Sequence, residues 1–110
     1  MPEAIRWRPD WPAALKEART ANLPLVLEIY LEGCPVCARL ARETHTDASV
    51  IEALNERFIP VRLEARENLD LAQELNVTAA PTTLRFSPDG KEMGRVVGFQ
   101  SPEEYLTGLA

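Results

Sequence analysis

Two cysteines, one histidine and no long apolar run set the first limits on this chain. A disulfide-stapled scaffold needs several cysteines, and tetrahedral zinc ordinarily takes four ligands. With one C-x-x-C pair and His45 as its lone histidine, the sequence falls short of both. The longest apolar stretch, 23–31, covers nine residues and contains Pro24 and Glu28, whereas a membrane-spanning helix takes about 20 apolar residues. The first twenty residues carry Pro9, Asp10, Pro12 and several charges, with no apolar segment of the secretory-leader kind. Basic charge is also scarce, with 12 basic against 17 acidic residues and a net charge of −5. Nucleic-acid binding depends on concentrated basic surface, so it is not expected. The expected compartment is the cytoplasm, where a lasting structural disulfide is disfavoured and a close cysteine pair points to catalysis or metal.

What is present suits one globular domain over 1–110. Hydrophobic residues make up 45% of the 110 residues and charged ones 26%, enough for a core that stands without staples and leaves the cysteines free for chemistry. Asp10 predicts a helix start, with Ala14, Leu15 and Ala18 following and an end near Asn22. The run Leu25 to Leu31 is almost continuously apolar, as in a strand covered on both faces. Gly33 breaks it, and a helical pattern with Val36, Leu40 and Ala41 starts at Cys34. A second helical piece follows Asp47, with Ser49 and Glu52 spaced as a capping box. Strands are predicted over 58–63, 82–86 and 92–98, with a turn at Pro88-Asp89-Gly90, a short helix capped by Asn68, and a closing helix started by Ser101-Pro-Glu-Glu104. Strands alternating with helices, then a hairpin, predict an α/β architecture: a central mixed sheet with helices on both faces.

Cys34-Pro35-Val36-Cys37 sits where the apolar strand gives way to a helix. A helix N-terminus offers unpaired N–H groups and partial positive charge, which favour thiolate over thiol. Cys34 at that terminus is the expected nucleophile, and Cys37, one turn in, the expected resolving thiol. Zinc is the rival reading. His45 lies eleven residues beyond Cys34, roughly 16 Å along an unbroken helix, and joins such a site only if the helix breaks. An inert structural disulfide is the third reading.

Glu28 is the one carboxylate in the apolar strand. Burial there would favour its neutral form and suit it to act as a base toward Cys37. His45, Trp7, Trp11 and Tyr30 read as packing or surface residues.

The strand ending in Gly-Cys-Pro-Val-Cys, the later Val-Thr-Ala-Ala-Pro81-Thr, and Pro-Asp-Gly with Gly98 in the hairpin resemble the thioredoxin superfamily. The segments 40–50 and 55–61 resemble thioredoxin-like domains in which the active-site helix is followed by Thr-x-Asp and Asn-x-x-Phe patterns. Pro81 stands 44 residues after Cys37. The resemblance implies a thioredoxin fold with Pro81 cis beside the cysteines, Ala80 and Pro81 receiving an extended substrate, and Gly33, Pro35 and Gly98 framing it. It implies that Glu28 exchanges a proton with Cys37, and that Arg62 stands where relatives carry a lysine near that acid, either paired with Glu28 or as a solvated strand charge. The activity implied is thiol–disulfide exchange on protein substrates by a monomer, with no cofactor beyond the dithiol and with electrons from a reductase or a small thiol. A disulfide oxidase or isomerase, or a non-catalytic binding or redox-sensing module, is the alternative on the same fold. Gly33 replaces the usual tryptophan, Pro-Val the usual dipeptide, Arg42 the kinking proline, and Glu28 a shorter acid.

Overall fold

The computed structural model describes residues 3–110. Its elements run α1 (Trp11–Ala21), β1 (Leu25–Tyr30), α2 (Pro35–Glu43), α3 (Ala48–Arg57), β2 (Ile59–Glu64), α4 (Leu69–Glu74), β3 (Thr82–Phe86), β4 (Glu92–Val97) and α5 (Pro102–Leu109). The four strands form one sheet in the order β2-β1-β3-β4. β1 pairs parallel with β2 and antiparallel with β3, and β3 pairs antiparallel with β4. The mixed sheet with helices on both faces is therefore as expected.

Side chains alternate across a strand, so β1 sends two sets of residues to two layers. Leu25, Leu27 and Ile29 pack with Ala14 and Ala18 of α1, with Ile59, Val61 and Leu63 of β2, and with Leu84 and Phe86 of β3. Val26 faces the opposite layer, with Leu40 of α2, Val50, Ile51 and Leu54 of α3, and Tyr105 of α5. Both layers are buried, which explains the unbroken apolar run of β1. Glu28 shares the second face and is fully buried there.

Several local expectations shift. The lead-in before α1, readable from the sequence as a strand or an extended entry, makes a single bridge, Arg8 to Val61, and no strand among the described residues. Asp10 holds the N-cap position of α1 without a side-chain cap bond. The cap of α3 is Asp47, whose carboxylate accepts from the Ser49 and Val50 N–H groups at 3.0 and 3.1 Å. It lies nearer the first unpaired N–H groups than Ser49 does, so the predicted Ser49–Glu52 box is superseded. Asn68 likewise makes no cap bond to α4; its side-chain amide donates to the Glu64 carbonyl at 2.9 Å. A 3₁₀ turn at Ala65–Glu67, capped by Glu64, precedes that helix and had no clear sequence signal. At α5 the capping box forms as predicted, Ser101 and Glu104 bonding reciprocally. Among the described residues no helix is long and apolar enough to cross a membrane.

Candidate active site

Gly33 takes φ of +84° between β1 and α2, a conformation that side-chain-bearing residues rarely adopt. The chain thereby turns off the sheet and leaves Cys34 as the N-cap residue, with Pro35 as the first residue of α2. The Cys37 N–H donates to Cys34 Sγ at 3.2 Å. Both cysteines are free thiols, Cys34 half-buried and Cys37 2% exposed. The Ala80–Pro81 peptide is cis, and the Ala80 carbonyl lies 3.8 Å from Cys34 Sγ as acceptor of its thiol. Gly98, with φ of +97°, donates its N–H to the Pro81 carbonyl at 2.8 Å and so ties β4 to the same loop.

The two sulfurs are electrostatically unequal. A hydrogen bond from the Cys37 thiol, helped by the N–H groups of Cys37 and Val36, holds Cys34 below the usual thiol range against burial and the Glu28 charge. Burial pushes Cys37 up to about 11, and the Cys34 sulfur and the Glu28 charge act in the same direction. One thiol is thus ready to ionise and the other keeps its proton until a base removes it.

Glu28 is near enough for its charge to act on both sulfurs. Its Oε2 accepts from Arg62 Nε at 3.1 Å. The two residues are register partners on the parallel strands β1 and β2, and the Arg62 guanidinium also stacks 3.7 Å over the Tyr30 ring. Of the two readings of Arg62, pairing with Glu28 is therefore the one realised. Arg62, Tyr30, Leu31, Gly33 and both cysteines line a cleft beside the thiols. A second, apolar groove runs past Ala79 and Ala80 over Leu31, Leu69 and Val77.

His45 departs most from its reading as a packing residue. Helix α2 stops at Glu43, the His45 N–H reaches back to the Leu40 carbonyl at 3.1 Å, and the ring turns inward. Its Nε2 comes 2.8 Å from Glu28 Oε1, with both side chains buried. The sequence signal for that break is the run Thr44-His45-Thr46 just before the Asp47 cap. Even so, no group of three or more His, Cys, Asp or Glu among the described residues is placed to hold a metal ion.

The thioredoxin-like domain family matches residues 11–110. A thiol:disulfide interchange protein, DsbD, of Yersinia enterocolitica is 31% identical over 106 residues, covering 92% of this chain and 18% of that protein. The chain thus spans about a fifth of the length of the curated relatives it matches. Among solved structures, a thioredoxin from Thermus thermophilus superimposes with a TM-score of 0.86 at 27% identity, covering 97% of this chain and 85% of that one. A putative disulphide-isomerase from Bacteroides thetaiotaomicron gives 0.84 at 26% identity, covering 99% and 93%. A matched stretch that takes in both cysteines, Pro81 and the whole sheet, together with two close superpositions, shows that the chain belongs to the thioredoxin-like domain family.

Proposed function

We propose that this domain catalyses thiol–disulfide exchange on protein disulfides, with Cys34 as nucleophile and Cys37 as resolving thiol. The observation that carries the reading is the inequality of the two sulfurs: Cys34 caps a helix and is held below the usual thiol range, while Cys37 is buried and pushed up to about 11. The Cys34 thiolate attacks one sulfur of a substrate disulfide, forming a mixed disulfide and expelling the other sulfur as thiolate. Cys37 then loses its proton to Glu28 and attacks Cys34 Sγ, which releases the second substrate thiolate. Two electrons leave the dithiol, and Cys34 and Cys37 end as a disulfide that a reductase or small thiol must reduce again.

The substrate backbone lies against Ala80 and Pro81, between the apolar groove over Leu31 and Leu69 and the cleft beside Arg62. An extended peptide there pairs with main-chain groups as an added strand. Gly33 and Gly98 keep the approach to the sulfur free of side chains, with nothing within 4 Å of either Cβ position.

The test is reduction of insulin with dithiothreitol as electron source. Unaltered protein accelerates it, Cys34→Ser abolishes the effect, and Cys37→Ser accumulates a covalent adduct through Cys34. Full activity of Cys34→Ser would overturn the reading. The direction of electron flow follows from the potential of the pair: a value of roughly −270 mV marks a reductant, and one of roughly −120 to −180 mV an oxidant or isomerase.

A further inference from the structure

The two oxygens of the Glu28 carboxylate are held differently. Oε2 accepts a hydrogen bond from Arg62 Nε at 3.1 Å. Oε1 lies 2.8 Å from His45 Nε2 without the alignment of a hydrogen bond, and neither atom has another hydrogen-bond partner in the protein. A permanent cation therefore fixes one oxygen, and the other faces a group that can either carry a proton or accept one.

From this contact we infer that His45 is a positioning residue for proton transfer: it takes over, at Nε2, the proton that Glu28 Oε1 lifts from Cys37. The inference rests on the proposed role of Glu28 as base. The step balances without a further reagent. Cys37–SH gives its proton to the Glu28 carboxylate and becomes the attacking thiolate. The Glu28 carboxyl passes that proton to neutral His45, and the carboxylate is restored beside an imidazolium. The imidazolium then faces Oε1 as Arg62 faces Oε2, so each oxygen of the buried carboxylate meets a cation.

The groups facing this pair leave little else to titrate with it. Arg62 from β2 stays charged throughout. Tyr105 from α5 lies with its ring centroid 6.1 Å from that of His45; its phenol is pushed far up by burial and by the Glu28 charge, and stays neutral. Trp7 from the lead-in packs its ring at 5.0 Å against the imidazole and does not titrate, nor does Thr83, the β3 register partner of Glu28. From α2 the two cysteines complete the set, and they are the groups the reaction reads.

Ellman's reagent isolates the step. It first makes a mixed disulfide at Cys34, releasing one coloured thiolate, and Cys37 then releases the second. With unaltered protein the second phase has a pH profile of its own, because groups within the protein take the Cys37 proton. His45→Gln, which keeps a polar side chain of similar reach but cannot take up a proton, slows the second phase and changes its pH profile, while the first phase keeps its own. His45→Asn, a second polar and non-titrating variant, gives the same result if His45→Gln folds poorly. An unchanged second phase in either folded variant overturns the inference and leaves the role of Glu28 standing. Glu28→Gln tests that role by itself. A second phase following hydroxide across the whole range supports Glu28 as base, and an unaltered profile removes both ideas together.

Discussion

The backbone N–H of Cys37 points at Cys34 Sγ from 3.2 Å, one helical turn away. A single contact of this kind does two things: it stabilises negative charge on the outer sulfur and holds the inner sulfur on the same helix face. The first prediction follows. Iodoacetamide at neutral pH is expected to label Cys34 well before Cys37, with a pH inflection below that of an ordinary thiol, because only thiolate reacts. Peptide mapping after a short pulse checks it, and equal labelling of both residues would contradict the assignment of roles.

A second prediction concerns Arg62. Removing its guanidinium leaves the fully buried Glu28 without a permanent counter-charge and takes a cation from above Tyr30. Breaking a buried ion pair costs about 3–5 kcal/mol, and Arg62→Met is expected near the lower end because Arg62 keeps some contact with solvent. Urea unfolding measures the loss. A change below about 1 kcal/mol would place the pair among ordinary surface bridges.

Gly33 gives a third. At its φ of +84° there is open space where a Cβ would stand, so the cost of a side chain lies in the backbone alone. Gly33→Ala is expected to destabilise by about 1–2 kcal/mol, and Gly33→Asn by less, since asparagine tolerates positive φ better. Thermal melts of the two variants give the order, and a reversed order would point to a side-chain clash instead.

The fourth concerns acid. The Glu64 carboxylate accepts from the Glu32 N–H at 2.9 Å and the Arg66 N–H at 2.6 Å. The Glu32 N–H above all, then those of Arg66 and Glu67 with the Arg66 guanidinium, holds its carboxyl below the usual range. A group whose native pKa is depressed stabilises above its unfolded pKa and loses that contribution as pH falls through the native one. Glu64→Gln is therefore expected to be less stable than the unaltered protein at neutral pH and to converge with it in acid. Urea titrations at several pH values test this, and a gap that persists in acid would assign the effect to packing.

Much of the sheet was legible because its signals are local. The unbroken apolar run of β1 announced two covered faces, and Glu28 stood out as the one charge inside it. Cys34 and Pro35 announced a helix start. What was left open or hidden depends on geometry that a linear string does not carry. Arg62 faces Glu28 because the β1–β2 register puts the two opposite each other, and register is settled by the whole layer of Leu25, Leu27 and Ile29 against Ile59, Val61 and Leu63. His45 comes to Glu28 only because α2 ends two residues earlier, and the choice among nearby caps at 44–49 is decided by which side chain reaches the free N–H groups. The 3₁₀ turn after β2 depends on Glu64 folding back over its own chain, a contact between neighbours that no periodicity reveals.

The pairing of Glu28 with Arg62 on one side and Thr83 on the other has a consequence for assembly as well as for chemistry. Sliding either neighbour by one residue would turn its polar side chain to the opposite layer, because side chains alternate. Sliding β1 itself would drive a carboxylate among Ala14, Ala18, Leu84 and Phe86, with no cation to meet it. The acid that would serve the dithiol thus doubles as a proofreading mark for the sheet: only the arrangement that completes the reaction centre is also one in which the central strand can be buried.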